Sequence, residues 1–219
     1  MSDLTAFTFY KEDASMAVTL ELSSPILNSG SLKINRNGTA GRWVNGVRVN
    51  APLGFTSGRA RFLLGAKTAL QTNDAIGFVF QQSQADLTLG AGSAYGFFTQ
   101  VLSSGAGTWR PFLRKFTAGL GTGTTLATGT DYTAAVGTMR AVEVQWILDV
   151  ANLGGIQLTV KMGSLSTFAD LAVDAALNII VTSSILTTSV GEGPYYVGIA
   201  TSSGFYLYDH IECVPLLVG

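Results

Sequence analysis

Cysteine and histidine are almost missing from this sequence: Cys213 and His210 each stand alone. A lone cysteine forms no internal disulfide, so a disulfide framework is excluded. Cys213 reads as a small buried apolar residue on the last strand. One histidine and one cysteine cannot supply zinc-ligand spacing. Charge is scarce too. Lys, Arg, Asp and Glu make up 12% of 219 residues, and the net charge is -1. The usual charged fraction is roughly a quarter. With no excess of either sign, the chain has no field to draw in nucleic acid or an anionic membrane. No apolar stretch approaches the roughly 18 residues of a membrane span. The Met-Ser-Asp opening lacks the basic and apolar regions of a signal peptide, so cytoplasmic synthesis without conventional export is expected.

What is present is apolar and small. Hydrophobic residues make up 47%, and there are 26 glycines. A chain this long buries roughly 70% of its unfolded surface and needs no disulfide or metal to fold. Its surface is then left to Ser, Thr, Gly, Asn and Gln, which suits packing beside other proteins or binding neutral ligands.

Period-two patterning runs through the chain. In Met16–Leu22, residues Met16, Val18, Leu20 and Leu22 share a face. Ala60, Phe62 and Leu64 alternate with Arg59, Arg61 and Leu63. Ile76, Phe78 and Phe80 line one side of the next segment, and Ala94–Val101 follows. The clearest strand is Arg140–Val150: Val142, Val144, Trp146, Leu148 and Val150 oppose Glu143, Gln145, Ile147 and Asp149. Asn152-Leu153-Gly154-Gly155 is a hairpin turn signal, and Ile156–Met162 is its partner strand. Tyr195–Thr201 and Phe205–Val214 read as a further strand pair through Ser202-Ser203-Gly204. Two segments break the rhythm. The Gly/Thr tract Thr117–Thr130 reads as a long mobile loop. Leu165–Asn178 reads as one short helix or helical turn. Many short strands between turns predict a sandwich or barrel, as a single domain over 1–219.

From end to end the chain resembles the concanavalin A-like lectin/glucanase superfamily. The residues that carry the likeness are Phe7-Thr8-Phe9-Tyr10, Gly30–Ile34, Ala75–Phe80, the hairpin Ala141–Trp146 with Gly155–Lys161, and Val197–Ala200 with Tyr208–Ile211. The resemblance implies an all-β fold, a two-sheet antiparallel jelly-roll sandwich. Glucanases of that family place acids on one strand as acid-x-acid-x-x-acid. Here Glu143 stands at the first place, but Gln145 and Leu148 occupy the others. Asp149 is no substitute: six positions along a strand is about 20 Å, and glycosidase carboxylates sit about 5 to 9.5 Å apart. The expectation is therefore a protein that is not an enzyme.

Other chemistry is sparse. Asp209 and His210 are strand neighbours and point to opposite faces, so they form no catalytic dyad. Gly119-Leu120-Gly121-Thr122-Gly123 lacks the lysine of a phosphate loop. No cofactor is expected; oxygens for calcium would come from Asp170 with Asp174, or Asn73 with Asp74. The densest basic and aromatic stretch is Trp109–Lys115, where Pro111 marks a sheet edge or bulge. Trp109, Arg110, Arg114 and Lys115 are candidate interface residues, with Trp109 as anchor and the adjoining Gly/Thr loop as partner. Glu143 and Gln145 are a candidate glycan-binding face. Two functions follow. The first is a non-catalytic virion structural subunit of a bacteriophage (capsid decoration, tail or baseplate), in contact with other virion proteins or further copies of itself. The alternative is a carbohydrate-binding, lectin-like module recognising glycans of a host surface. Localisation in a virion goes with the first.

Overall fold

The computed structural model describes residues 7–11, 17–21, 31–35, 43–49, 57–66, 69–80, 93–103, 107–117, 123–149, 155–164, 167–182, 195–200 and 205–216. Among them the regular structure is strand, apart from one 3-10 turn at Phe168–Asp170. In chain order the strands are β1 Phe7–Lys11, β2 Ala17–Glu21, β3 Ser31–Asn35, β4 Trp43–Val49 and β5 Gly58–Ala66. Then come β6 Ala75–Phe80, β7 Ala94–Ser103, β8 Thr108–Phe116, β9 Gly123–Thr128 and β10 Tyr132–Thr133. The last are β11 Met139–Asp149, β12 Gly155–Met162, β13 Ala172–Val181, β14 Tyr195–Ala200 and β15 Phe205–Pro215. An eight-stranded sheet runs β1-β4-β14-β6-β7-β8-β10, with β9 also on β8. A seven-stranded sheet runs β13-β12-β11-β5-β15-β3-β2. Neighbours are antiparallel in both.

Alternation decides what lies between the sheets. Ala60, Phe62 and Leu64 of β5 meet Ile76, Phe78 and Phe80 of β6, with Phe97 of β7 and Val142, Val144 and Trp146 of β11, in one buried cluster. Trp146 is 3% exposed and lies 4.8 Å from the Phe80 ring at 25°. Phe62 stands 5.4 Å from Phe78. Each fully buried aromatic or aliphatic side chain contributes roughly 1.5–3 kcal/mol. The eight-stranded sheet also buries rings on its other face. Phe98 and Phe116 are both 0% exposed and meet edge-to-face at 5.7 Å. Gly96 leaves room for this pair, because a Cβ there would sit 2.5 Å from Phe98 Cε2.

The β11–β12 hairpin forms in the predicted register, with Val144 opposite Val160 and Trp146 opposite Leu158; its turn lies outside the described residues. Three expectations are corrected. Tyr195–Ala200 and Phe205–Pro215 do not pair with each other: β14 sits between β4 and β6, whereas β15 sits between β5 and β3 in the other sheet. The chain crosses between layers there, which a turn signal cannot reveal.

The Gly/Thr tract is not loop throughout. Residues 123–128 form β9 on β8, because Thr is β-branched and suits a pleated surface. Leu126 and Ala127 pack against the core.

Leu165–Asn178 holds only a 3-10 turn, and Ala172–Val181 is an edge strand on β12. Pairing overrides the helix propensity of its Ala and Leu residues. Between Thr159 and Lys161 of β12 the register slips from Asn178 to Val173. The resulting bulge drives Leu177, 0% exposed, into the core and blunts the edge. Pro111 pairs with Thr99 on the β7 side. On the other side it falls between the residues paired to β10 and those paired to β9, where no strand asks for its missing N–H.

Trp146→Ala is expected to lower the unfolding free energy by roughly 3–5 kcal/mol, through lost contacts and the cavity left behind. Chemical denaturation checks this, and an unchanged midpoint would contradict the assignment of Trp146 to the core.

Candidate functional site

The outer face of the seven-stranded sheet carries an ordered polar grid. On β5 the residues between Ala60 and Phe62 and before Ala60 point outward, so Arg61 and Arg59 stand on this face. Glu143 and Gln145 do the same on β11, opposite the side of Val144 and Trp146. Register then aligns four strands. Glu143 lies opposite Lys161 on β12 and opposite Arg61 on β5, and Arg61 lies opposite Glu212 on β15. One row thus reads Lys161, Glu143, Arg61, Glu212, with alternating charge. Opposite charges on directly facing strand positions attract. The next row reads Asn178, Thr159, Gln145, Arg59.

Side chains join the rows. Lys161 Nζ donates to Glu143 Oε1 at 2.6 Å, Gln145 Nε2 to the same oxygen at 2.8 Å, and Arg61 Nε to Glu143 Oε2 at 2.5 Å. Arg59 Nη2 donates to Glu212 Oε1 at 2.8 Å, and Thr159 Oγ1 to Asn178 Oδ1 at 2.9 Å. Glu143 is 1% exposed although it faces outward, whereas the Arg61 and Lys161 side chains keep 32% and 29%. The cations roof the carboxylate. Burial pushes the Glu143 carboxyl up, but the hydrogen bonds and charges of Lys161 and Arg61 outweigh it and hold the group below its ordinary range. Beyond these rows the face is apolar and covered: Leu63 and the facing Ala141, with Met139 in the row after, are buried and pack with Phe168 and Leu171. The 3-10 turn therefore closes one end of the grid, and the Phe168 ring lies 5.9 Å from the Arg61 guanidinium.

No family model matches the chain, and no curated protein does. Solved structures do. The cellulose-induced protein Cip1 superposes with a TM-score of 0.60 at 14% identity, over 99% of this chain and 94% of that one. The endo-beta-1,4-glucuronan lyase from the fungus Trichoderma reesei gives 0.59 at 13%, over 98% and 93%. The carbohydrate recognition domain of Emp46p in its potassium-bound form gives 0.58 at 8%, over 98% and 91%. The fold is a concanavalin A-like jelly roll. At such identities the likeness carries the fold alone, and the site must be argued from its own residues.

The jelly roll separates the two residue sets expected from sequence. Glu143 and Gln145 come together on the polar grid. Trp109, Arg110, Arg114 and Lys115 lie on β8 of the other sheet. Trp109 is 5% exposed and stacks on Tyr132 at 6.4 Å and 7°. It faces the core, a departure from the outward anchor expected of it, because it falls on the same side of β8 as Leu113. Arg110 is exposed and makes a bidentate pair with Asp131 at 2.7 and 2.8 Å, and Arg114 lies 4.5 Å over the Phe112 ring. Lys115 is half-buried opposite Tyr95.

A recess of about 260 Å³ opens where Tyr132 and Asp131 approach Arg140 and Asp174. Arg140 sits 4.4 Å over the Tyr132 ring, and burial pushes the Tyr132 hydroxyl up to about 12 against the pull of Thr99 and Arg140. Trp109 stacks on that ring and Arg140 lies over it, so the ring is engaged within the protein.

The oxygens considered for calcium have structural partners. Asp74 accepts from Gln71 N, and Asn73 adopts φ 75° in the same turn. Asp174 accepts from Thr130 N and Ala176 N, and Asp170 from Ser164 N and Oγ. Among the described residues no three His, Cys, Asp or Glu gather as a metal set. The side chains of Asp149, Asp209, His210 and Cys213, and residues 119–122, lie outside the described residues. Sequence reasoning missed Glu212, Arg61 and Lys161. Register alone joins them to Glu143, and no motif within one strand encodes it.

The sign of the pH effect follows from Glu143. Its folded pKa lies below its ordinary 4.5, so the unfolded chain takes up the proton more readily. The stabilisation is full above 4.5 and is lost as pH falls through the folded value. Melting curves taken from neutral pH into acid are expected to fall less steeply for Glu143→Gln than for the natural chain. Parallel profiles would show that Glu143 is not held by its cations.

Proposed function

We propose that this chain is a non-catalytic carbohydrate-binding module whose contact surface is the polar grid of Arg59, Arg61, Gln145, Thr159 and Lys161, held in place by the buried Glu143. The carrying observation is an ordered set of hydrogen-bonding side chains on the outward face of a sheet, fixed by register and by a buried carboxylate. Pre-organised polar groups bind hydroxyl-rich ligands with little ordering cost. The fold is shared with the Emp46p carbohydrate recognition domain, which supports the reading.

Binding is favoured over cleavage by the state of the acids. Glu212 lies two strands from Glu143 in the same row, roughly 10 Å by strand spacing, at the outer limit for a glycosidase pair. A general acid needs a raised pKa, and Glu143 is held low with both oxygens bonded. The virion-subunit expectation rests on composition, and nothing in the fold adds to it.

A glycan array is expected to give binding that Thr159→Trp, which lays an indole across the second row, weakens at least about tenfold, a loss of some 1.4 kcal/mol. Arg110→Ala, on the other sheet, should bind as the natural chain does. Absence of binding to any glycan would sink the reading, and release of unsaturated or reducing sugar on incubation would overturn its non-catalytic part.

A further inference from the structure

We infer that the grid selects sugars bearing carboxylates, that is uronate-containing oligosaccharides, with Arg61 and Lys161 as the selecting groups. This rests on the carbohydrate-binding reading and adds to it the chemical class of sugar.

Donors and acceptors on the grid are unevenly spent. The buried carboxylate of the grid is consumed internally. Glu143 takes Lys161, Gln145 and Arg61, and at 1% exposure it cannot reach a sugar hydroxyl. Glu212 takes Arg59. What the cations of the face turn outward is N–H. Arg61 spends its Nε on Glu143 and keeps its terminal amino groups; Lys161 spends one N–H. Among the described ionic groups of the grid, Arg59, Arg61 and Lys161 stand against Glu143 and Glu212, which leaves one positive charge in excess.

A neutral sugar offers these N–H groups only uncharged hydroxyl and ring oxygens, which make weaker hydrogen bonds to a cation than a carboxylate does. A carboxylate is acceptor-only and planar. It matches the end-on fork of a guanidinium, and such charge-assisted pairs are about twice as strong as neutral ones. Arg61 is already oriented for that contact, by Glu143 on its Nε and by the Phe168 ring. Lys161, across Glu143 in the same row, supplies a second positive point beside it. Glu143 is then a positioning residue, which holds two like charges together and touches no ligand.

The test uses the whole chain with tetrameric oligoglucuronate and its carboxyl-reduced, neutral counterpart, titrated by calorimetry. The expected result is at least about tenfold tighter binding of the acid, with a salt dependence that the neutral sugar lacks. Arg61→Lys keeps the charge but loses the fork, and should weaken the acid about tenfold, a larger loss than it causes for the neutral sugar. Glu143→Gln loses an acceptor that holds Arg61 and Lys161 in place and should narrow the affinity gap between the acid and the neutral sugar. Equal affinity for both sugars, or a salt-insensitive preference, overturns the selection for carboxylates while the carbohydrate reading stands. Binding of neither, with no binding elsewhere on a glycan array, means that the underlying reading has failed. Should a variant not fold, as a thermal melt would show, the two sugars on the natural chain decide alone.

Discussion

A carboxylate buried on the solvent side of a sheet organises the outward chemistry of this protein. An ionised group taken out of water is costly unless paired and hydrogen-bonded. Glu143 meets that condition through three donors on three neighbouring positions: Arg61 from β5, Gln145 from its own strand and Lys161 from β12. Each donor is thereby fixed, and the three strands are locked in one register. A slip by one residue would turn Glu143 inward and Val144 outward. The polar face and the apolar core thus specify the same alignment from opposite sides of β11.

The core supplies the other half of that alignment. Trp146, three residues along β11 from Glu143, packs on Phe80 and Phe78 of the opposite sheet. Aromatic contacts between the layers set their separation, while the charge row sets the register within one layer. At the β13 edge the bulge serves both. It sends Leu177 between the sheets and leaves Asp174 to accept from Thr130 N, beside the end of β9. Gly129 makes this closure possible, since a Cβ there would stand 2.8 Å from Leu177 Cδ1.

Strand identity was legible wherever alternation was strong, as in Ala75–Phe80 and Arg140–Asp149, because burial of one face imposes a period of two. The jelly-roll class was legible for the same reason. Three features were not. The strand at Ala172–Val181 carries helix-favouring Ala and Leu and is extended only because β12 pairs with it. The strand at Gly123–Thr128 hides in a glycine-rich tract. The separation of β14 from β15 into different sheets is a topological fact with no local signal. The site was half legible. Glu143 and Gln145 stood out as polar residues on the outer face of a clear strand, but Arg61, Lys161 and Glu212 are 82, 18 and 69 positions from Glu143 in the chain. Only the sheet brings them into one row. Trp109 shows the converse error: a residue type common at interfaces is here a core residue, because its side of β8 faces inward.

Backbone amide shifts in a nuclear magnetic resonance titration with an oligosaccharide test the central claim most directly, since they locate the contact without relying on a variant. Perturbations grouped on residues 59–61, 143–145 and 159–161 are the result the account predicts. Perturbations grouped instead on β8 or on the recess beside Tyr132 and Arg140, with the grid unmoved, would contradict it.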